Sequence, residues 1–308
     1  MTTAYLSHPL FLAHDPGPFH PESKARLYAI EDRLNSAHLY HLLHHLTPVS
    51  ATREQLLRAH DGAYVDSLIA AAPEEGTLHM DPDTVMSPAT LNAAFHAAGA
   101  VVMATDAVLS GDVVNAFCAV RPPGHHAERD LAMGFCFFNN LAVGVAHALE
   151  AHGLKRIAIV DFDVHHGNGT EDIFRDDKRV MFCSSFQYPF YPYSPLVEGH
   201  ERIIHTPLES GTDGALFRRL ISEQWFPALH RFEPEMIFIS AGFDAHIEDE
   251  ISGIRLQDQD YEWITGELVS IADQYAGSRI VSALEGGYET HALARSVALH
   301  IRALLGNI

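Results

Sequence analysis

The sequence is poor in cysteine and in basic residues, and both shortages narrow what the chain can do. Its three cysteines, Cys118, Cys136 and Cys183, form no CxxC pair. A thiolate zinc site or a disulfide framework is therefore not expected, and the cysteine usage fits a reducing compartment. Lysine and arginine total 20 against 40 aspartate and glutamate, a formal net charge of −20. So acidic a chain is not expected to bind nucleic acid through the phosphate backbone.

Long apolar runs and a targeting segment are also missing from the pattern. No uncharged apolar run approaches the roughly 18 residues that a membrane span needs. The stretch MTTAYLSHPLFLAHD at the start has neither a basic n-region nor a clean apolar core, so it does not resemble a signal peptide. We therefore expect a cytoplasmic protein that does not associate with a membrane.

The chain has ample length and apolar content for one large core. It has 308 residues, of which 47% are hydrophobic, and no repeat or linker, so we expect one domain over residues 1–308. Apolar runs alternate with helical patterns, which predicts an α/β fold of three layers, α/β/α, with a mainly parallel central sheet. Strands are predicted within 4–14, 113–120, 179–184, 236–240 and 280–284 and from Ile157 onward; helices are predicted at 24–35, 54–59, 62–72, 88–110, 139–152, 215–232, 258–275 and 290–305.

The central strand carries the strongest chemical signal, in the stretch IAIVDFDVHHGNGT at 157–170. Asp161, Asp163 and His165 alternate there, and alternate side chains of a strand point to the same face. A carboxylate and an imidazole side by side at the end of a buried strand are costly unless a cation lies between them. The pattern therefore indicates a bound metal, with buried acids satisfied by backbone amides as the alternative.

Four polar clusters each follow a predicted strand directly. They are RPPGHHA at 121–127, DFDVHHGNG at 161–169, AGFDAH at 241–246 and EGGY at 285–288. In open α/β sheets, ligands bind beyond the carboxyl ends of the strands. We therefore expect all four clusters to meet at one edge of the sheet.

Three side chains in these clusters can supply a metal with two carboxylate oxygens and one imidazole nitrogen: Asp163, His165 and Asp244. Three protein ligands with an open position are typical of catalytic zinc sites. Because none of them is a cysteine, Fe²⁺, Co²⁺ and Mn²⁺ also remain possible.

The histidine doublet His125-His126 is the candidate base for a water molecule, because a neutral imidazole can take a proton near pH 7. The simpler alternative is a pair of loop residues that point in opposite directions. Asp161 and Asn168 are available to hold the two rings. Since an anionic partner raises a histidine pKa and a neutral one does not, the two could differ in pKa.

A donor for a developing oxyanion is also available. Tyr288 follows the flexible Gly286-Gly287 pair, and its phenol could reach a reacting oxygen. A packed turn residue is the simpler alternative for this tyrosine.

Together with HPESKAR from His20 and GFCFFNN from Gly134, the four clusters resemble the zinc-dependent histone deacetylase superfamily, which has the arginase/deacetylase fold. The resemblance spans residues 20 to 288, and EGGY with the asparagine of HHGNG is similar to the class II branch and its bacterial relatives. It implies zinc on Asp163, His165 and Asp244. It further implies His126 as general base, His125 as electrostatic partner or acid, Asp161 behind His125, Asn168 behind His126, and Tyr288 as the group that polarises the substrate carbonyl.

The resemblance also implies structural K⁺ and an arginine beneath the site. One K⁺ would lie under the zinc and a second in a turn; the residues implied are Asp161, Asp163, His165 and Ser184 for the first and the carbonyls near Phe174, Asp177 and Val180 for the second. Arg26 resembles the family's arginine at the base of a product channel, although its pattern alone indicates a solvated helix face.

An acyl-lysine side chain would enter an aromatic-walled tunnel. Phe135 matches one wall, and either Phe190 or Tyr191 could form the other. The remaining contacts implied are the Gly134 carbonyl to the substrate N–H, Asp81 or Asp83 at the rim, and Gly286 beside the substrate.

We therefore expect an amidohydrolase that removes acetyl or related acyl groups from acyl-lysine of proteins or peptides. One rival is a deacetylase of acetylated polyamines or other small amines, which the charge of −20 suits. A second is an arginase-like ureohydrolase with two Mn²⁺ ions, which would need further bridging aspartates. The third is a catalytically inactive binding protein, against which the complete set of ligands, histidines and tyrosine argues.

Overall fold

The computed structural model describes residues 2–197 and 199–306. Its strands are β1 (Thr3–Leu6), β2 (His44–Leu46), β3 (Leu78–His79), β4 (Val85–Met86), β5 (Asn115–Cys118), β6 (Ile157–Asp161), β7 (Val180–Gln187), β8 (Ile203–Leu208), β9 (Met236–Ala241) and β10 (Ile280–Leu284). Its α-helices are α1 (Leu10–Ala13), α2 (Ala25–Ser36), α3 (Arg53–Leu56), α4 (Gly62–Ala71), α5 (Thr90–Ser110), α6 (Asn140–Glu150), α7 (Asn168–Phe174), α8 (Gly214–Phe232), α9 (Asp258–Tyr275) and α10 (Thr290–Leu304). A short 3-10 helix covers Tyr40–Leu42.

Eight strands form one sheet in the order β2-β1-β5-β10-β9-β6-β7-β8, and every neighbouring pair is parallel. The central strands β6, β9 and β10 are buried along their whole length, as expected where helices cover both faces of a parallel sheet. Helices α2 and α9 pack on α10, and α8 packs on α9. Helices α1 and α6 pack on α5. The predicted three-layer α/β/α fold with a parallel central sheet is confirmed.

The central strand is shorter than the sequence pattern suggests. Strand β6 ends at Asp161, so Asp163 and His165 lie in the loop that follows and not on one strand face with Asp161. The predicted alternation along a strand is therefore wrong. The ladder ends there because the backbone N–H groups of Val164 and His165 donate to the side chains of Asp244 and Asp163, and not to a neighbouring strand.

Two edge strands, β2 and β8, have no clear signal in the sequence. The three residues of β2 include His44 and His45 and are largely exposed, so they form no apolar run. His205 and Pro207 interrupt the apolar sequence pattern of strand β8. Proline is tolerated in a strand chiefly at a sheet edge, which is where β8 lies. At the N-terminus, the expected strand ends at Leu6 and the chain continues into helix α1.

Helix α5 has the length and hydropathy of a membrane span, and 67% of its most apolar window is buried inside the protein. Its burial depends on a close approach at Gly99. A Cβ atom there would lie 1.9 Å from the Val49 carbonyl oxygen and 2.7 Å from the Ala51 nitrogen. The Ala51 N–H in turn donates to the Phe95 carbonyl at 2.9 Å. The helix therefore packs directly against the backbone of residues 49–51.

We expect Gly99→Ala to destabilise the protein by about 1–3 kcal/mol, because the added methyl overpacks this backbone contact. Gly266→Ala is the matched control, since Gly266 lies within helix α9 and a Cβ atom there would have nothing within 4 Å. There alanine should stabilise the fold by about 0.5–1 kcal/mol through helix propensity. Chemical denaturation of both variants checks the prediction, which is wrong if Gly99→Ala is as stable as Gly266→Ala.

Candidate metal centre and active site

The four polar clusters meet at the carboxyl-end edge of the sheet, as expected from the parallel strands. His125 Nδ1 lies 2.9 Å from Asp161 Oδ2, which joins the loop after β5 to the end of β6. The Val164 N–H donates to Asp244 Oδ1 at 2.9 Å, joining the loops after β6 and β9. The Gly124 N–H donates to Glu285 Oε2 at 2.7 Å, which adds the loop after β10.

At the centre of this edge, two carboxylates converge on one imidazole. His165 Nδ1 lies 3.0 Å from Asp163 Oδ1 and 3.2 Å from Asp244 Oδ2, and all three side chains are buried. Beyond this contact with His165, no described residue offers a hydrogen bond to Asp244 Oδ2, which is buried. Burial, and then the neighbouring Asp163 carboxylate, raise the pKa of Asp244 to about 7. Two buried acids with an unsatisfied oxygen between them form an arrangement that a divalent cation would stabilise.

The Gly286 backbone closes this site from the side of strand β10. Its N–H donates to Asp163 Oδ2 at 2.8 Å. A Cβ atom at this position would lie 2.1 Å from Asp244 Oδ2. Only glycine lets the backbone come this close to both carboxylates.

The described residues hold two further clusters of histidines and acids: His166 with Glu171 and His205, and Asp106 with His147 and His152. In each, one ring is committed to hydrogen bonds. The Val197 N–H donates to His205 Nδ1 at 3.1 Å, and Arg58 Nη1 lies 2.6 Å from His147 Nδ1. The opposite nitrogen of each ring therefore carries a proton toward its carboxylate and is not free to bind a cation. Asp163, His165 and Asp244 are the set whose donors suit a metal.

The two histidines of the doublet have different partners. His126 Nδ1 lies 2.7 Å from Asn168 Oδ1, and the Asn168 amide nitrogen donates to Glu128 Oε1 at 2.7 Å. This second bond fixes the orientation of the amide, so His126 donates from Nδ1 and its Nε2 is left as a free acceptor. His125 pairs instead with the Asp161 carboxylate.

Their pKa values are shifted in opposite directions. Burial acts to lower the pKa of His125, but the Asp161 and Asp163 carboxylates outweigh it and hold this pKa well above its ordinary value. For His126, burial and then the charges of His125 and His165 hold the pKa well below its ordinary value. The site thus places a charged imidazole beside a neutral one.

Tyr288 lies over the site with its ring against two other side chains. Its ring meets Phe135 edge to face at 5.9 Å, and the Arg26 guanidinium lies 5.1 Å from the ring centre. Burial, and then the Asp244 carboxylate, raise the phenol pKa well above its ordinary value. Arg26 is fully buried and donates from Nε to the Gly287 carbonyl at 2.6 Å, so the solvated helix face indicated by its pattern is wrong.

A cavity of about 230 Å³ opens above these groups. It is lined by Asp83, Pro123, His125, His126, Gly134, Phe135, His165, Phe190, Tyr191, Ile251, Gly286 and Tyr288. Both candidates for the second wall line it: Phe190 stacks on His165 at 5.3 Å, and Tyr191 meets His126 edge to face at 5.2 Å. Ile251 has no signal in the sequence, because it is an isolated apolar residue between Glu250 and Ser252 in the polar loop IEDEISG.

Asp83 is the carboxylate at the cavity mouth. Burial, and then the neighbouring Asp81 carboxylate, raise its pKa to about 6. Its carbonyl lies 2.9 Å from His20 Nε2, and the His20 ring is 4.5 Å from the ring of Phe135. Asp81 does not line the cavity, because its Oδ1 accepts the N–H groups of Asp83 and Thr84 within the turn.

The residues predicted to bind K⁺ lie in two parts of the structure, one in the sheet beside Asp161 and one in the turn between α7 and β7. Ser184 pairs with Asp161 in the sheet and lies 3.1 Å from His166 Nδ1 through its hydroxyl. Phe174, Asp177 and Val180 lie in the turn from α7 to β7, where the Asp177 N–H donates to the Phe174 carbonyl and the Val180 N–H to the Asp177 carbonyl. Potassium at these residues stays a prediction.

Known proteins are similar to this chain over nearly its whole length. A probable deacetylase of Archaeoglobus fulgidus is 36% identical over 296 residues, which cover 94% of this chain and 82% of the relative. The human polyamine deacetylase HDAC10 is 34% identical over 303 residues, which cover 93% of this chain and 45% of the relative. The crystal structure of the HDA15 HD domain has a TM-score of 0.93 at 30% identity, covering 99% of this chain and 88% of that one. Because the family model of the histone deacetylase domain also matches residues 20–304, the chain belongs to the histone deacetylase family.

Proposed function

We propose that the protein is a metal-dependent amidohydrolase that removes acetyl or related acyl groups from acyl-lysine side chains. The observation that carries this proposal is the cavity of about 230 Å³ that leads to the histidine pair, His165 and Tyr288. Its walls are formed largely by Phe135, Phe190, Tyr191 and Ile251, which suit the methylene chain of a lysine.

Asp163, His165 and Asp244 would hold the metal, which we propose to be Zn²⁺, with Fe²⁺, Co²⁺ and Mn²⁺ as ions that accept the same donors. A divalent ion held there would act as a Lewis acid toward the acyl carbonyl and make a nearby water more acidic. Asp244 Oδ2 supports this assignment, because it is a buried acceptor that the described protein groups leave without a hydrogen bond.

The chain itself would move the protons. His126 has its Nε2 free and a lowered pKa, so it can accept a proton from the attacking water. His125 is held protonated by the Asp161 carboxylate, and a protonated histidine can then donate to the leaving amine. Since the Tyr288 phenol stays protonated, with its pKa raised, it can donate a hydrogen bond to the developing oxyanion.

Acetylated polyamines are the second candidate substrate. The Asp83 carboxylate lies at the cavity mouth, where it could pair with a distal ammonium group, and the similar human protein is named a polyamine deacetylase. Against this, Asp83 is the one acid among the described residues that line the cavity, and Phe135, Phe190, Tyr191 and Ile251 contribute apolar surface to its wall. These features favour an acyl-lysine substrate whose side chain lies in the cavity and whose peptide backbone stays outside it.

We expect an acetyl-lysine peptide to be hydrolysed with a kcat/KM at least about tenfold above that of an acetylated polyamine, a preference of about 1.4 kcal/mol. Turnover should stop when a chelator strips the protein and return when Zn²⁺ is restored. The panel is measured with wild type and with Asp83→Asn, which removes only the charge at the mouth. Faster polyamine turnover that Asp83→Asn abolishes would favour the second candidate, and chelator-insensitive turnover would contradict the metal.

Tyr288→Phe should lower kcat by about 10²–10³, the usual loss for an oxyanion donor, with little change in stability. Tyr275→Phe is the matched control, because it also removes one phenol hydroxyl, in this case one that lies 3.2 Å from His230 Nδ1 between helices α8 and α9. Steady-state kinetics on an acetyl-lysine peptide checks both variants. A Tyr288→Phe enzyme with near wild-type kcat would remove the tyrosine from the mechanism.

Asn168→Asp should move the acid limb of the kcat/KM profile to higher pH. The new carboxylate, 2.7 Å from His126 Nδ1 in the position of the amide oxygen, would raise the pKa of His126, and a base with a higher pKa is protonated, and so inactive, up to a higher pH. Glu128→Gln is combined with it so that the new acid keeps a donor partner. An acid limb that stays in place or moves to lower pH would exclude His126 as the base.

A further inference from the structure

We infer that Asp249, in the loop after β9, is a positioning residue that fixes Tyr288 and Ile251 relative to each other in the cavity. The inference rests on the proposed function for its catalytic consequence. Asp249 does not line the cavity, so any effect it has on turnover must pass through the residues that it holds.

The Asp249 carboxylate bonds to backbone groups of two separate loops. Its Oδ2 accepts the N–H groups of Tyr288 at 2.6 Å and Glu289 at 3.1 Å. Its Oδ1 accepts the Ile251 N–H at 3.2 Å. The side chain is only 5% exposed, so water competes little for these charge-assisted bonds.

The tyrosine needs such support because of what precedes it. Gly286 and Gly287 come immediately before Tyr288, and Gly287 has φ +119°, a region that glycine enters freely. Such a pair constrains the following residue weakly. After it, Glu289 caps helix α10 by accepting the Ala292 N–H at 2.6 Å, which fixes the far side of the turn but not the tyrosine itself.

Two side chains of opposite charge, Arg26 and Asp249, hold the backbone of residues 285–289. Arg26 donates to the carbonyl groups of Glu285 and Gly287, while Asp249 accepts the N–H groups that come next along the chain. The Arg26 guanidinium also lies against the Tyr288 ring. Removing the carboxylate would leave the guanidinium side intact and free the other, so Tyr288 should keep its neighbours and lose its fixed orientation.

Asparagine has nearly the same size as aspartate, so Asp249→Asn changes the hydrogen bonding of this side chain and leaves its packing unchanged. An amide has one acceptor oxygen where the carboxylate has two, and it carries no charge, so the bonds to the Tyr288 and Glu289 N–H groups either lose their charge assistance or are replaced by a facing NH₂ group. Asp249→Asn therefore weakens the support of Tyr288 in both orientations of the amide without opening a cavity.

The test is a double-mutant cycle of Asp249→Asn with Tyr288→Phe on an acetyl-lysine peptide. If Asp249 acts through the tyrosine, Asp249→Asn lowers kcat by about tenfold or more in the wild-type background and by less than about twofold once the phenol hydroxyl is gone. Equal losses in both backgrounds, or a wild-type kcat for Asp249→Asn, would overturn the inference.

Glu235→Gln is the matched control. Glu235 Oε2 also accepts two backbone N–H groups, those of Lys155 at 2.7 Å and Arg156 at 2.8 Å, but it does so before strands β6 and β9, at the opposite edge of the sheet. Its kcat should match wild type. Thermal unfolding and metal content are measured for every variant, and loss of metal from Asp249→Asn would overturn the inference by placing the effect at the ligands.

A readout without turnover keeps the inference separate from the proposed function. Fluorotyrosine is incorporated at all 10 tyrosines, and the Tyr288 signal is assigned by its absence in Tyr288→Phe. In fluorine NMR, Asp249→Asn should broaden this signal or shift it toward the free amino acid, whereas Glu235→Gln should leave it unchanged. An unchanged signal in Asp249→Asn overturns the inference even if the wild type hydrolyses no acyl-lysine, and inactivity of wild type alone overturns only the proposed function.

Discussion

Two buried carboxylates that face one another without enough hydrogen-bond donors are the constraint on which this structure depends. Asp163 accepts from the Gly286 N–H and Asp244 accepts from the Val164 N–H, yet no described residue donates a hydrogen bond to Asp244 Oδ2. A fold holds such a pair only where many other contacts fix both acids. The parallel sheet supplies this, because β6, β9 and β10 are adjacent and end at the same edge.

Negative charge also decides which of the two neighbouring histidines holds a proton, and the largest share of it comes from Asp161. The Asp161 and Asp163 carboxylates surround His125 and raise its pKa, so His126, one residue further on, is beside a cation and pairs with the neutral amide of Asn168. A base and an acid can therefore stand side by side in one doublet. What separates them is the charge of the group behind each ring and not their own chemistry.

The sequence predicted which residues lie close together better than it predicted the local backbone geometry. The four clusters could be placed together because long apolar runs identify the buried strands, and parallel strands bring their carboxyl ends to one edge. Asp161, Asp163 and His165 do lie near each other, but β6 ends at Asp161, and a loop brings the other two into place where strand alternation was expected to do so. Strand β8 could not be predicted, because Pro207 interrupts its apolar sequence pattern. The position of Ile251 in the cavity wall could not be predicted either, because it is a single apolar residue in a polar segment of a loop.

The proposed metal site and the turn that carries Tyr288 require opposite properties of the same residues. Gly286 must lack a side chain because a Cβ would collide with Asp244, and a glycine pair is the least rigid support for the phenol of Tyr288. The rigidity lost there has to come from outside the turn. Arg26 donates to its carbonyl groups and Asp249 accepts from its N–H groups. The close packing of Asp163 and Asp244 and the need for these two supports therefore both follow from the glycine at position 286.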